Sequence, residues 1–399
     1  MTMTQDDQIR TTITGSPLER AKSVAPVIDA EADAGEAGTD VTPTAADALK
    51  AAELFWMWVP EELGGLGADL VGGFEAIEEI SRADGSTGWV LMATSVGTRN
   101  AAIYLDDEGR QALFGGPEKA ILGGFGGPLG VAVEVEGGLR GRADRLPFGS
   151  GSTYITNIAA HMKIVDEDGN QRYLEDGTPF TRVAYIPRDR FEILGNWDVM
   201  GLVATGSYDY RVPEQFIPDK FVMKQRDARL GAANASSGPV ISRASLGVAG
   251  HGGVVLGIMK RALQEVARIT TTKKREGVSG TLAESDVFRK EFASREASYR
   301  AARAYFLDTL AEIEKSAAET NEVSPELGAR IQQATTYVHE VADGVVGFAH
   351  LWAGSEAVRL PSAIGRCTRD YQVAKNHLLI NPLTMLRAAG PILETYLDD

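Results

Sequence analysis

The strongest constraint on how this chain can fold is a block of short alternating runs set between two long helical blocks. From Ala120 to about Met223, stretches such as VAVEVEGGLRGR, HMKIVDEDGNQRYL and SYDYRVPEQFI alternate apolar and polar residues between Gly, Asp-Gly and Pro. That is the period-2 pattern of half-buried strands joined by tight turns. Gly137-Gly138 closes one expected hairpin and Asp168-Gly169-Asn170 a second. A small barrel or sandwich of roughly 110 residues follows. On the N-terminal side, Ser16-Pro17 with Glu19 reads as a helix start, and Asp84-Gly85-Ser86 splits two helices with Ser86 capping the second. After Gly238 four long helices, one opened by Ser324-Pro325, predict a four-helix bundle. The chain therefore divides into an N-terminal helical domain over 1–119, a central β-domain over 120–235 and a C-terminal bundle over 236–399, an α+β organisation.

Composition narrows the function. The formal net charge of -15 over 399 residues argues against a nucleic-acid partner. The single cysteine, Cys367, excludes an intrachain disulfide framework. No apolar run reaches membrane-spanning length, and the first twenty residues lack the basic and apolar regions of a secretory signal, so a soluble cytoplasmic protein is expected. GGLGADL, GGFGGPLG and GVAGHGG fit neither the dinucleotide-binding nor the P-loop pattern. The five histidines (His161, His251, His339, His350, His377) show no metal-ligand spacing, and no G-x-S-x-G elbow is present. No metal is expected.

One stretch, GRCTRDYQVAKNHLLINP, places charge and a histidine on a helix that otherwise presents apolar residues. Arg366 and Asp370 are four apart and can pair. Asp370 and His377 lie two turns apart on one face. Asn381-Pro382 is expected to stop the helix, which puts His377 in its last turn, where the dipole favours a protonated imidazole. Read alone, this is a surface ion pair and a satisfied histidine.

Three further stretches, in order, resemble the acyl-CoA dehydrogenase fold over nearly the whole chain: VPEELGGLGADLVGGFEAIEEISRADGSTGWVLM, GNWDVMGLVATGSYDYRVPEQFIP and REGVSGTLAESDVFRKEFA. Within that superfamily GLVATGSYDY, PFGSGS and IGRCTRDYQVAKNH look most like the two-component flavin-dependent monooxygenases of the p-hydroxyphenylacetate hydroxylase and dibenzothiophene monooxygenase type. The resemblance implies reduced flavin (FADH2 or FMNH2) and O2 as cofactors, with reduced flavin delivered by a separate NAD(P)H:flavin reductase. It places Phe148 against the flavin, Ser150 near flavin N5, and Arg275 and Arg369 among the cofactor-binding residues. It also implies a homotetramer whose flavin site is completed across subunits. Leu378 stands where many dehydrogenases carry their catalytic glutamate, and His377 beside it matches the histidine of the oxygenases. Leu146 stands where many oxygenases have tryptophan, and Val278-Ser279 where dehydrogenases have Phe-Gly, which leaves FAD versus FMN open.

The implied reaction is hydroxylation of a small phenolic or indolic aromatic through a C4a-hydroperoxyflavin, with water excluded. Ser150 would hold N5–H, and His377 would handle protons with a pKa near neutrality. Arg369 and Asp370 would chiefly fix the helix. Thr94, Ser95, Thr98 and His251 are candidate pocket residues, while Trp56, Trp58, Trp89 and Trp197 read as packing. The alternatives are N-oxygenation of an amine or amino sugar, an acyl-CoA dehydrogenase with its base elsewhere, and a non-catalytic assembly subunit.

Overall fold

A computed structural model describes residues 13–223, 241–274, 276, 279–320 and 322–397. Arg275 and Val278 lie outside the described residues. The N-terminal helices are α1 (Pro17–Gly38), α2 (Pro43–Ala51), α3 (Leu70–Ala83), α4 (Gly85–Tyr104) and α5 (Asp107–Phe114). Ser16 caps α1 in a reciprocal box with Glu19. Asp84, not Ser86, caps α4. Its extended backbone ends α3, and its carboxylate accepts the Thr87 N–H at 2.8 Å, which leaves Ser86 inside the helix.

The strands are β1 (Leu122–Val135), β2 (Gly138–Gly149), β3 (Asn157–Val165), β4 (Thr181–Pro187), β5 (Glu192–Gly195), β6 (Tyr208–Pro218) and β7 (Val222–Met223). They form one seven-stranded sheet in the order β5-β6-β2-β1-β3-β4-β7, and β4 and β6, with three strands between them in that order, come into contact, so the sheet curls on itself as expected of a small barrel or sandwich. β1 makes this order possible. A register shift between Phe125 and Gly130, in a glycine-rich stretch, lets it pair antiparallel with β2 and parallel with β3. The expected hairpin at Gly137 is present, with Gly137 at φ 77°. The one expected at Asp168 is reduced to isolated bridges, and β3 pairs instead with β4.

The C-terminal part holds α6 (Arg243–Thr272), α7 (Asp286–Thr320) and α8 (Pro325–Ala353), the last capped by Ser324 as expected. The expected fourth helix is shortened to α9 (Ala363–Ala374), and a further helix, α10 (Pro382–Glu394), follows it. Asn381-Pro382 starts a helix instead of stopping one: the Asn381 side chain accepts the Leu383 N–H at 2.9 Å and Pro382 occupies the first turn.

Almost every residue of α4 is buried, because the helix lies between sheet and bundle. A Cβ on Gly97 would fall 2.6 Å from the Leu122 carbonyl oxygen on β1. On the other side Gly85 packs on Ile258, and Gly250 on Met92, so α4 and α6 run antiparallel. Among the described residues no helix is long and apolar enough to cross a membrane.

Candidate active site

Two loops beside the sheet build the first part of the site. Phe148, at the end of β2, takes a left-handed backbone (φ 60°), as do Asn196 and Leu202 in the loop between β5 and β6. Non-glycine residues rarely adopt that region, and its clustering marks locally imposed geometry. The conformation turns the Phe148 ring outward, 58% exposed, with Phe125 and Trp197 each 6.3 Å away. Trp197 is fixed from behind by its indole N–H, which reaches the Leu202 and Val203 carbonyls. The result is an aromatic shelf open to solvent.

Ser150 lies buried at the shelf's edge, in a chain of hydroxyls whose direction can be worked out. Thr205 Oγ1 is 2.7 Å from the Leu202 carbonyl oxygen, which can only accept, so Thr205 donates there. Thr205 Oγ1 is also 2.7 Å from Ser207 Oγ, and Ser207 Oγ is 2.7 Å from Ser150 Oγ. Each hydroxyl has one proton. Ser207 must therefore donate to Thr205, and Ser150 to Ser207. Trp89 Nε1–H donates to Ser150 at 3.3 Å. Ser150 keeps one lone pair free and no proton to offer.

Trp89 joins this chain to two histidines. Its ring centroid is 4.9 Å from that of His251 on α6 and 5.9 Å from that of His377. The two imidazoles stack at 4.0 Å, tilted 35°. Trp89 was expected to be mere packing; its role needs α4 laid between sheet and bundle, which no local pattern encodes. His377 lies three residues beyond α9, not in a helix turn. Burial lowers its pKa to about 4, so it is neutral, contrary to the expected protonated or near-neutral imidazole. Its Nδ1 accepts the Leu379 N–H at 3.3 Å, which puts the ring proton on Nε2. His251 is pushed well below its ordinary value by burial, then by His377 and His339. His339 on α8 is lowered to about 3, again by burial first. Among the described residues, the groups that act on His251 besides burial are the other histidines.

Other predicted residues go elsewhere. Thr94 and Thr98 are fully buried, and their hydroxyls donate to the Val90 and Thr94 carbonyls; Thr98 also receives the Leu122 N–H. They fasten α4 to itself and to β1 and have no hydroxyl to spare for a pocket. Ser95 is likewise turned to the Met92 carbonyl. Arg369 pairs with Glu36 of α1, which makes it a clamp between helices. Arg366 does not take Asp370 as its partner; it bonds Asp33 at 2.6 Å and lies 3.4 Å from buried Asp84. Asp370 accepts the Leu202 N–H at 2.6 Å, and burial followed by Asp84 raises its pKa to about 8. Trp56 and Trp58 are core, with their indole N–H groups on main-chain carbonyls. His161 sits on β3 with ring contacts to Gly126 and Thr181. Among the described residues no cluster could hold a metal ion.

The geometry suits a planar heteroaromatic ring that carries an N–H. The exposed shelf offers stacking area, the free lone pair of Ser150 accepts one proton, and neutral imidazoles with Trp89 wall the far side. A flavin meets that description.

Comparison with known proteins gives the same picture. The family models "Acyl-CoA dehydrogenase, N-terminal domain" and "Acyl-CoA dehydrogenase, C-terminal domain" match residues 20–113 and 249–382. The indole-3-acetate monooxygenase of Pseudomonas putida is 27% identical over 86% of this chain and 85% of its own length. A pigment production hydroxylase of Rhodococcus erythropolis is 26% identical over 94% and 95%. Among solved structures, XiaF from Streptomyces sp. in complex with FADH2 and glycerol superposes with a TM-score of 0.85 at 20% identity, covering 96% of this chain and 95% of that one. Dibenzothiophene monooxygenase from Paenibacillus sp. A11-2 with FMN and indole gives 0.80 at 18%, covering 96% and 97%.

Proposed function

The chain belongs to the acyl-CoA dehydrogenase family, and within it we propose that the protein is the oxygenase component of a two-component flavin-dependent monooxygenase acting on a small aromatic substrate. The observation that carries the reading is the directed hydroxyl chain, which leaves Ser150 as a pure acceptor at the edge of an open aromatic shelf. Many acyl-CoA dehydrogenases abstract a proton with a glutamate, and the position beside His377 where they carry it holds Leu378.

Reduced flavin, when bound, supplies the electrons that activate dioxygen. The protein's part is to hold and to insulate. Phe148, Trp197 and Phe125 would cover one face of the ring, and Ser150 Oγ would accept the proton at N5 and keep it there. His377 would present Nε2–H as a donor to the oxygen being transferred or to a substrate hydroxyl; with Nδ1 occupied, it is a donor before it is a base. His251 and Trp89 exclude water and offer flat surfaces to an aromatic substrate. A separate NAD(P)H-dependent reductase in the cytoplasm would deliver the reduced flavin. A homotetramer is part of the same proposal: Leu351, Leu383, Leu386 and Leu393 are each more than half exposed, on helices that a partner would cover.

The test mixes the purified protein with chemically reduced FAD or FMN, oxygenated buffer and an aromatic acceptor such as indole-3-acetate. We expect hydroxylated product in place of quantitative hydrogen peroxide. Bleaching of bound oxidised flavin by an acyl-CoA, with enoyl-CoA formed in the absence of dioxygen, would overturn the reading.

A further inference from the structure

The loop between β5 and β6 is gripped from two sides, and the grips fall on different residues. At its far end Thr205 forms an isolated backbone bridge with Asp40, whose carboxylate also accepts the Tyr208 hydroxyl at 3.0 Å and the Thr153 hydroxyl at 3.1 Å. At its near end the Leu202 N–H donates to Oδ1 of Asp370 on α9 at 2.6 Å, across 168 positions of chain. Leu202 and Asp370 are both buried, to 2% and 1% exposure. Oδ2 of Asp370 lies 2.7 Å from where a Cβ on Gly85 would stand, at the start of α4, so the carboxyl has little room to turn.

Leu202 is where this grip matters. Its backbone is left-handed, with φ 51°, a conformation that disfavours any residue with a Cβ. Its carbonyl accepts three donors: the Thr205 hydroxyl at 2.7 Å, the Thr205 N–H at 3.1 Å and the Trp197 indole N–H at 3.3 Å. The first ends the hydroxyl series of Ser150, and the last steadies the aromatic shelf. Asp370 therefore holds the one residue that both halves of the site share. A buried N–H left unpaired is costly, so the bond to Asp370 keeps Leu202 against its own backbone preference.

Without that bond Leu202 can relax to a negative φ. The peptide before it has no room to take up the turn. A Cβ on Gly201 would fall 2.1 Å from the Arg369 carbonyl oxygen, so that peptide is wedged against α9. The Leu202 carbonyl swings instead. Thr205, kept in place by Asp40, loses its acceptor and donates to Ser207. Ser207 then donates to Ser150, and the Ser150 proton turns outward. The series runs in the opposite direction.

Resting on the reading that Ser150 faces flavin N5, we propose that Asp370 is a positioning residue that sets the direction of the hydroxyl series, and with it whether Ser150 accepts from N5 or donates to it. Asp370 acts through Leu202 alone. Reduced flavin carries N5–H, a donor, while the N5 of oxidised flavin is an acceptor. The direction of the series is thus read by which redox state binds more tightly.

The affinities of the full chain for oxidised FAD and FMN, and for the same flavins reduced with dithionite in the absence of dioxygen, test this, with urea unfolding to establish that each variant is folded. The wild-type protein should favour the reduced form. Asp370→Leu should lower the ratio of the two affinities by about tenfold, the worth of one hydrogen bond. Asp370→Asn, which keeps an acceptor at Oδ1, should stay within about threefold of the wild-type ratio. Gly201→Ala forces the loop off α9 without touching a charge and should lower the ratio as Asp370→Leu does; it decides the matter if Asp370→Leu does not fold. General loosening of the loop would weaken both redox states alike and leave the ratio where it was. An unchanged ratio in Gly201→Ala, or in folded Asp370→Leu, therefore overturns the proposal, and so does an Asp370→Asn protein that behaves like Asp370→Leu. A wild-type protein with no preference for either redox state overturns the placing of Ser150 at N5 and the proposal with it, whereas a preference that survives in the variants overturns the proposal alone.

Discussion

Ser150 owes its character to two hydroxyls that the bound ring would never touch. Ser207 takes its proton, Thr205 takes that of Ser207, and the Leu202 carbonyl ends the series. Replacing Ser207 with Ala frees the Ser150 proton to turn toward the ring, where it competes with the N–H it should accept. We expect Ser150→Ala to lower product formed per dioxygen consumed by about tenfold and Ser207→Ala by about threefold, in line with one hydrogen bond each. The double variant should be no worse than Ser150→Ala alone, since the two act as one unit; parallel product and peroxide assays would check it. The histidines supply a pH prediction. His377 and His339 protonate only near 4 and 3 in the folded protein, and His251 well below 6.5. In the unfolded chain they protonate near 6.5. Between those values the unfolded state binds more protons, so these groups stabilise the fold above about pH 6.5 and that contribution is lost as pH falls toward 4. Their C2–H resonances should hold neutral positions from pH 8 to 5.5; titration near 6.5 would contradict the buried placement. Ser150 and His377 were candidates in the sequence because motifs name them. Trp89 and Ser207 became legible as site residues only through contacts that cross 61 and 57 positions of chain.

Helix α9 acts through what it grips. Arg366 reaches Asp33, Glu36 and Asp84, Arg369 holds Glu36, and Asp370 bonds the backbone of Leu202. Gly201 packs so closely on the Arg369 carbonyl that no Cβ would fit. One helix thereby fastens α1, α4 and the loop that carries the hydroxyl chain. Removing Arg366 leaves Asp84, already among buried groups, without its cation. Arg366→Met should cost about 3–5 kcal/mol in urea unfolding, and the protein should also lose flavin affinity as the loop loosens. A stability change under about 1 kcal/mol would mean that the carboxyls share protons and that Arg366 is dispensable. The sequence showed the charges on this helix but paired them with each other at helical spacing. The partners are remote, and spacing rules reach only one element. The same limit explains Asn381-Pro382: the dipeptide ends and begins helices equally well, and only the side-chain bond to Leu383 decides.

At the scale of the whole molecule, alternation of texture was enough to foresee helices, strands, helices in that order, because burial on one face imposes period 2 or 3.6 wherever it occurs. The order of the strands within the sheet was not legible. Which neighbours a strand takes depends on register shifts such as the one in β1, which the alternating pattern does not encode. Assembly belongs to this scale too. Leu386→Asp with Leu393→Asp, both on the exposed face of α10, should convert an oligomer to smaller species in light scattering while leaving helix content unchanged. The closed backs of these parts have a consequence for leakage. A carbonyl oxygen cannot pass a proton on, so the serine–threonine series behaves as a wire with its far terminal cut. No proton can reach Ser150 along this series. A short circuit that wastes reduced flavin would then have to come from the exposed aromatic shelf, and a substrate lying there would serve as the insulator.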